Sequence, residues 1–105
     1  DGHIVGSVQL ELVMRANGRH RAEVAKMLVH SRYRRRGIAS ALMTAVEDAA
    51  RAQGRSTLIL DTRLGDPSEA LYRKAGWQPA GIIPQFARSS DGELHSTIYF
   101  YRLLE

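Results

Sequence analysis

Across residues 30–37 (HSRYRRRG) the apolar period of the chain changes from that of a strand to that of a helix. Few arrangements permit that switch over so short a stretch, so the two sides of the loop define the fold. On the near side, residues 4–13 alternate, with Val8, Leu10 and Leu12 on one face and Ser7, Gln9 and Glu11 on the other. This is the pattern of a half-buried strand. Asn17-Gly18 predicts a tight turn into a second, antiparallel strand over 21–29. Glu23, Ala25, Met27 and Val29 would share a face there, which puts Glu23 at the end of an apolar row. On the far side, Ile38, Leu42, Ala45, Val46 and Ala49 make one helical stripe. Glu47, Asp48, Arg51 and Gln53 would face water, and Gly54 would stop the helix. Residues 56–62 (STLILDT) read as a third, more buried strand. Strands two and three then flank a helix, which requires a βαβ crossover.

The remainder completes an α/β chain with a mixed sheet. Asp66 is a candidate N-cap and Pro67 suits a first helical turn. That short helix would end near Gly76, with a fourth strand from Trp77 to about Ile83. Ser89-Ser90-Asp91-Gly92 has turn chemistry. The last strand, Leu94–Leu103, places His95, Thr97, Tyr99 and Tyr101 on one face. A length of 105 residues allows one domain. The absence of cysteine excludes disulfides, thiolate nucleophiles and Cys-based zinc sites, and fits a cytoplasmic, reducing setting. His3, His20, His30 and His95 lack metal-ligand spacing, so no metal is assigned. His95 has the best claim to a pocket among them, against the plainer reading of a satisfied sheet histidine. No apolar run is long enough to span a bilayer, and no membrane partner is expected. A net charge of +4 points to an anionic partner.

That charge gathers at Arg34-Arg35-Arg36-Gly37-Ile38-Ala39-Ser40, where a strand gives way to a helix. A helix N-terminus carries unpaired N–H groups and a partial positive charge, and together these suit a phosphate. Gly37 and Ala39 leave room at the backbone, and the arginines add bidentate donors. A pyrophosphate is the natural guest. The run is neither a P-loop nor the dinucleotide fingerprint, because Gly-Lys-Ser/Thr and G-x-G-x-x-G are absent. A solvated basic loop fits the same residues, as does a nucleic-acid patch over Arg32–Arg36. Only Tyr33 is interleaved with those arginines, so nucleic acid is the less favoured partner.

The stretch from Val29 to Ala39 resembles the Arg/Gln-x-x-Gly-x-Gly/Ala signature of the Gcn5-related N-acetyltransferases. A second segment, Ala70-Leu71-Tyr72-Arg73-Lys74-Ala75-Gly76-Trp77, is similar to that family's Leu-Tyr-x-Lys-x-Gly-Phe helix end. The resemblance runs from about Ile4 to Leu103. Within the family, Arg21–Val24, Leu60–Thr62 and Asp91–His95 with Tyr99 look like the tabtoxin-resistance acetyltransferases.

The resemblance implies an N-acetyltransferase that moves the acetyl group of acetyl-CoA to a primary amine of a small molecule. Backbone groups of Met27, Leu28 and Val29 would pair with the pantetheine arm, and an N–H near Leu28 or Val29 would stabilise the oxyanion. Arg34, Arg35, Arg36, Gly37, Ile38, Ala39 and Ser40 would hold the pyrophosphate, with Ser68 and Lys74 as further cofactor contacts. Tyr72 matches the general acid, since a phenol is protonated at neutral pH and can donate to a thiolate. Without the motif it reads as an amphipathic core residue. Glu23 matches the glutamate base of histone-type members, and its apolar row would raise its pKa. A strand-end salt bridge to Arg21 or Arg63 is the alternative. Asp61, at the end of the third strand, would accept the substrate's ammonium or replace Glu23 as base; a cap or turn role fits equally.

Three departures accompany the likeness. Gly65 stands where the family often has an Asn that bonds the pantetheine arm, Ser68 replaces a small residue, and Ala39 takes the last glycine position of the signature. The family's opening strand, two helices and strand have no counterpart, so the expectation is an N-terminally incomplete acetyltransferase domain over 1–105. A bare edge at residues 4–13 would favour a homodimer. Two other functions stay open at this point. One is a CoA-binding fragment without activity of its own; the other is a basic nucleic-acid or protein-binding module.

Overall fold

The computed structural model describes residues 6–29 and 37–104. The expected strand start at Ile4 and the arginines at 34–36 lie outside them. The elements are β1 (Gly6–Leu12), β2 (Arg21–Val29), α1 (Ile38–Ala52), β3 (Thr57–Arg63), α2 (Ser68–Lys74), β4 (Gln78–Arg88) and β5 (Leu94–Leu103). This is the mixed α/β class expected from the period switch. The chain divides into two compact units, one formed by residues up to Leu58 with Leu103–Glu105, the other by Ile59–Arg102.

In the first unit β1 and β2 pair antiparallel, with Leu10 opposite Val24 and Leu12 opposite Ala22. Ala22 and Val24 are buried, and Leu10 and Leu12 are half-buried on the same face. The alternation expected of β1 therefore holds. The face expected of β2 does not hold at Glu23, which is exposed and sits opposite Glu11. A strand has two faces one residue apart. The leucines of β1 select the one carrying Ala22 and Val24, which leaves Glu23 on the solvent side instead of ending a buried row.

The connection between these strands is longer than an Asn-Gly turn. Ala16–Gly18 form a 3-10 turn, and Gly18 is buried. A Cβ on Gly18 would lie 2.7 Å from Val13 Cγ1 and 2.9 Å from Arg21 Nη2, so glycine is required by close approach. Arg55 closes the loop from beneath. It is 9% exposed, and its Nη1 donates to the carbonyls of Val13 (2.7 Å) and Arg19.

Helix α1 packs on β1 and β2. Its buried residues are Met43, Val46, Glu47 and Ala50, while Ala45 and Ala49 are exposed. The stripe is thus rotated by about one residue, or about 100°, from the one the spacing predicts. Alanine-rich helices present little apolar contrast between faces, and the larger Met43 goes inside. Glu47, expected in water, is carried inward and keeps Arg51 at 3.9 Å.

In the second unit β5 lies between β3 and β4. Strands β4 and β5 pair antiparallel. Leu60, Tyr72, Trp77, Ile98 and Phe100 form the core. Strand β4 runs five residues past the expected end at Ile83, through Pro84 and Gln85 (φ 52°), with the register shifting between Ile83 and Ala87. A proline normally ends a strand reading, but a bulge accommodates it. At the start of α2 the Asp66 carboxylate accepts from Ser68 N at 2.9 Å, in keeping with its expected cap role.

Candidate active site

In the first unit the candidate groups are backbone. Gly37 caps α1 with φ 75°, and a Cβ there would meet nothing within 4 Å. The first helical bond runs from Ala41 N to Gly37 O, so the N–H groups of Ile38, Ala39 and Ser40 precede it. Among the described residues, a left-handed glycine and helix-start donors that lack an intrahelical partner fit an anionic group such as a pyrophosphate. The three arginines assigned to that group, 34–36, are outside the described residues. Met27, Leu28 and Val29 end β2, with Leu28 opposite Ser7 and Val29 opposite Gly6.

In the second unit the candidate groups are side chains, and the end of α2 explains where they sit. Gly76 has φ 95°; its N–H bonds to Arg73 O at 3.1 Å, and Trp77 N bonds to Tyr72 O at 2.9 Å. This is a Schellman ending, in which the residue two past the cap packs on the residue three before it. Here those residues are Trp77 and Tyr72, with ring centroids 6.3 Å apart. The Tyr-x-x-x-Gly-Trp spacing is thus a statement of helix geometry. Phe100 meets the Tyr72 ring edge-on at 5.7 Å, and the Arg73 guanidinium lies 5.4 Å over Phe100.

Tyr72 is 6% exposed. Burial is the main cause that raises its pKa above the usual value near 10. The Ser68 hydroxyl, one helical turn earlier, donates to the phenol oxygen and opposes that rise, while the carboxylates of Asp66 and Asp61 add to it. Ser68 Oγ also lies 2.8 Å from Thr62 Oγ1. Thr97 Oγ1 lies 2.6 Å from Asp61 Oδ2 and 2.9 Å from Thr62 O. Tyr72, Ser68 and Asp61, three residues singled out from the sequence, therefore share one polar cluster with Thr62 and Thr97. Neither was singled out from the sequence as a site residue; the signals available were that Thr97 shares the β5 face of His95 and that Thr62 directly follows Asp61. Lys74 is exposed at the end of α2, outside this cluster.

His95 is half-buried, with Nε2 3.0 Å from Ser89 Oγ. It lines a cleft at the turn end of the β4–β5 hairpin. It also places a ring nitrogen within 4.8 Å of donor oxygens of Asp91 and Glu93, a grouping that exposed acidic residues often form without an ion. The Asp91 carboxyl is held below its usual value, chiefly by the Ser89 hydroxyl and then by the Glu93 N–H, with His95 and Arg63 adding to the effect.

The fold is that of the acetyltransferases of the GNAT type. The sequence pattern of the acetyltransferase (GNAT) family matches residues 1–77, and the chain belongs to that family. Three solved structures illustrate the shared fold. A ribosomal-protein-alanine N-acetyltransferase from Brucella melitensis has a TM-score of 0.87 at 24% identity, over 99% of this chain and 64% of that one. A GNAT-family acetyltransferase from Streptococcus pneumoniae has a TM-score of 0.89 at 24% identity, over 98% and 62%. A Salmonella typhimurium protein, solved with its cofactor acetyl-CoA, has a TM-score of 0.86 at 18% identity, over 99% and 60%. The chain thus spans less than two thirds of each of these proteins. Among the described residues no helix is long and apolar enough to cross a membrane.

Proposed function

We propose that this chain serves an enzyme that transfers the acetyl group of acetyl-CoA to a primary amine of a small molecule. The observation that carries the reading is Tyr72. It is a buried phenol kept protonated well past neutral pH, held by the helix ending that the family motif encodes, with a hydroxyl donor beside it. Family membership and the acetyl-CoA held by the Salmonella relative support the choice of acyl donor. The likeness of the segments around Glu23, Asp61 and His95 to tabtoxin-resistance acetyltransferases supports a small, amino-acid-like acceptor.

Acetyl-CoA, when bound, supplies the thioester carbonyl and a thiolate leaving group. The N–H groups at the start of α1, with Arg34–Arg36, hold its pyrophosphate, and the backbone of Met27–Val29 pairs with the pantetheine arm. The amine nitrogen attacks the carbonyl carbon; a C–N bond forms and the C–S bond breaks. Tyr72 gives its phenolic proton to the departing sulfur. The surplus proton of the amine passes to Glu23, Asp61 or water. Asp61 is well placed to hold an ammonium, because Thr97 fixes its carboxylate within the Tyr72 cluster.

Acetyl-CoA consumption across a panel of amines tests the reaction, and calorimetry with CoA measures binding apart from turnover. Tyr72→Phe is expected to lower kcat on the order of 10²-fold or more while CoA affinity is kept. Full turnover in that variant would remove Tyr72 from the acid role.

A further inference from the structure

Acetyl transfer leaves Tyr72 as a phenolate, and the next turnover needs its proton back. Tyr72 is 6% exposed, so bulk water has little direct access to the phenol oxygen. The side chains between α2 and the end of β3 offer a way in.

A hydroxyl carries one proton and accepts through its oxygen. Ser68 and Tyr72 stand four residues apart on α2, on one helix face. Ser68 donates to the phenol oxygen. Its single proton is then committed, so Ser68 is the acceptor at its 2.8 Å contact with Thr62 Oγ1. The chain runs from the Thr62 hydroxyl to the Ser68 hydroxyl to the Tyr72 oxygen, with both donors aimed at the phenol. Ser68 and Thr62 are half-buried, so the chain leads from an enclosed oxygen toward water.

The place of Thr62 in β3 calls for an apolar residue. It shares the strand face of buried Leu60. Valine has nearly the same shape and would extend the apolar row; threonine supplies a hydroxyl instead. That end of the strand is also pinned from β5. Thr97, 3% exposed, has its Oγ1 2.9 Å from Thr62 O and 2.6 Å from Asp61 Oδ2. The Thr62 hydroxyl is therefore held where Ser68 meets it.

We propose that Thr62 and Ser68 form a hydroxyl relay that returns a proton to Tyr72 after each acetyl transfer. Ser68 gives its proton to the phenolate oxygen, Thr62 gives its own to Ser68, and a water replaces the proton of Thr62. The hydroxide left behind is neutralised by the proton that the amine releases. The catalytic meaning of the relay rests on the acetyl-transfer reading; the proton path does not.

The test follows exchange of the Tyr72 hydroxyl proton with water by NMR on the full chain, the signal being identified by its loss in Tyr72→Phe. Thr62→Val is expected to slow this exchange on the order of tenfold, the effect of one hydrogen bond on a barrier, and Thr62→Ser to restore it. Ser68→Ala, which breaks the chain one link nearer the phenol, should slow it at least as much. Thermal melts check that the variants are folded. Turnover with acetyl-CoA and an accepted amine gives a second readout. In Thr62→Val the steady-state rate should fall more than the first turnover in rapid quench, because the first turnover uses the proton already on Tyr72. Exchange equally fast with and without the Thr62 hydroxyl, or first and later turnovers lowered alike, would overturn the relay. Exchange that slows as described in a chain that acetylates no amine would uphold the proton path and count against acetyl transfer.

Discussion

Helices α1 and α2 end with the same backbone device, used for different purposes. In each a left-handed glycine follows the cap: Gly54 at φ 72°, Gly76 at φ 95°. In each the next residue bonds back to the last turn, Arg55 N to Ala50 O and Trp77 N to Tyr72 O, both at 2.9 Å. What differs is the side chain thrown inward at that point. After α1 it is Arg55, whose guanidinium binds carbonyls of the β1–β2 connection. After α2 it is Trp77, whose ring backs the Tyr72 ring. One ending secures a loop; the other positions a reactive group. A left-handed Gly directly before a buried side chain therefore identifies the device, and the side chain's chemistry says what the device serves.

The largest expected effect lies on the Trp77 side. Trp77→Ala removes a ring only 1% exposed, and should cost about 3–5 kcal/mol, read by denaturant unfolding. Activity should fall further than stability explains, since Tyr72 loses its backing; activity that merely follows the folded fraction would deny Trp77 that second part. Arg55→Ala strips a buried guanidinium's bonds from the carbonyls of Val13 and Arg19 and should cost about 1–3 kcal/mol, while leaving the Tyr72 titration where it was. A moved titration would mean that the two endings are not independent.

The glycines sharpen the comparison further. A Cβ at Gly54 meets open space, whereas one at Gly76 runs into the Arg102 guanidinium. Gly54→Ala should cost about 1 kcal/mol from the left-handed backbone alone, and Gly76→Ala about 2 kcal/mol. Equal losses in thermal melts would show that Arg102 moves aside freely. The smallest effect is electrostatic. Ser68→Ala removes the donor that opposes the rise in the Tyr72 pKa, so the phenol should titrate at still higher pH in ultraviolet absorbance. The sign follows from the raised value. Its contribution to stability is complete below the unfolded pKa near 10 and is lost as pH rises through the folded one. An unmoved titration would separate Ser68 from the phenol.

The β2 and β5 bounds were legible in sequence because each has clear punctuation on both sides. The end of α1 was legible for the same reason, since Gly54 is the residue that a left-handed cap selects. The face of β2 was not. Period two leaves a one-residue choice, and that choice belongs to Leu10 and Leu12 on another strand. The α1 stripe failed for a related reason: alanines on several sides let tertiary packing, not spacing, decide that Met43 and Glu47 turn inward. In the candidate site, Tyr72 and Ser68 were readable because their spacing is local to one helix. Thr97 was not, because its bonds join residues 35 or more positions apart; Thr62 was not, because its bond to Ser68 crosses from a strand to a helix. Arg55 was hidden likewise, its partners lying 36 and 42 residues earlier.

Strand β4 is exposed along all eleven residues and carries Ile82, Ile83 and Phe86 into solvent. An uninterrupted strand of that length at the end of the strand order would be a template for self-association. Pro84 offers no N–H, and the turn of the backbone at Gln85 breaks the row of free donors and acceptors into two short runs. The bulge that misled the reading of the strand's length thus works as a guard on solubility. A variant with Pro84 replaced by Val would put chain-to-chain association, not folding, at risk.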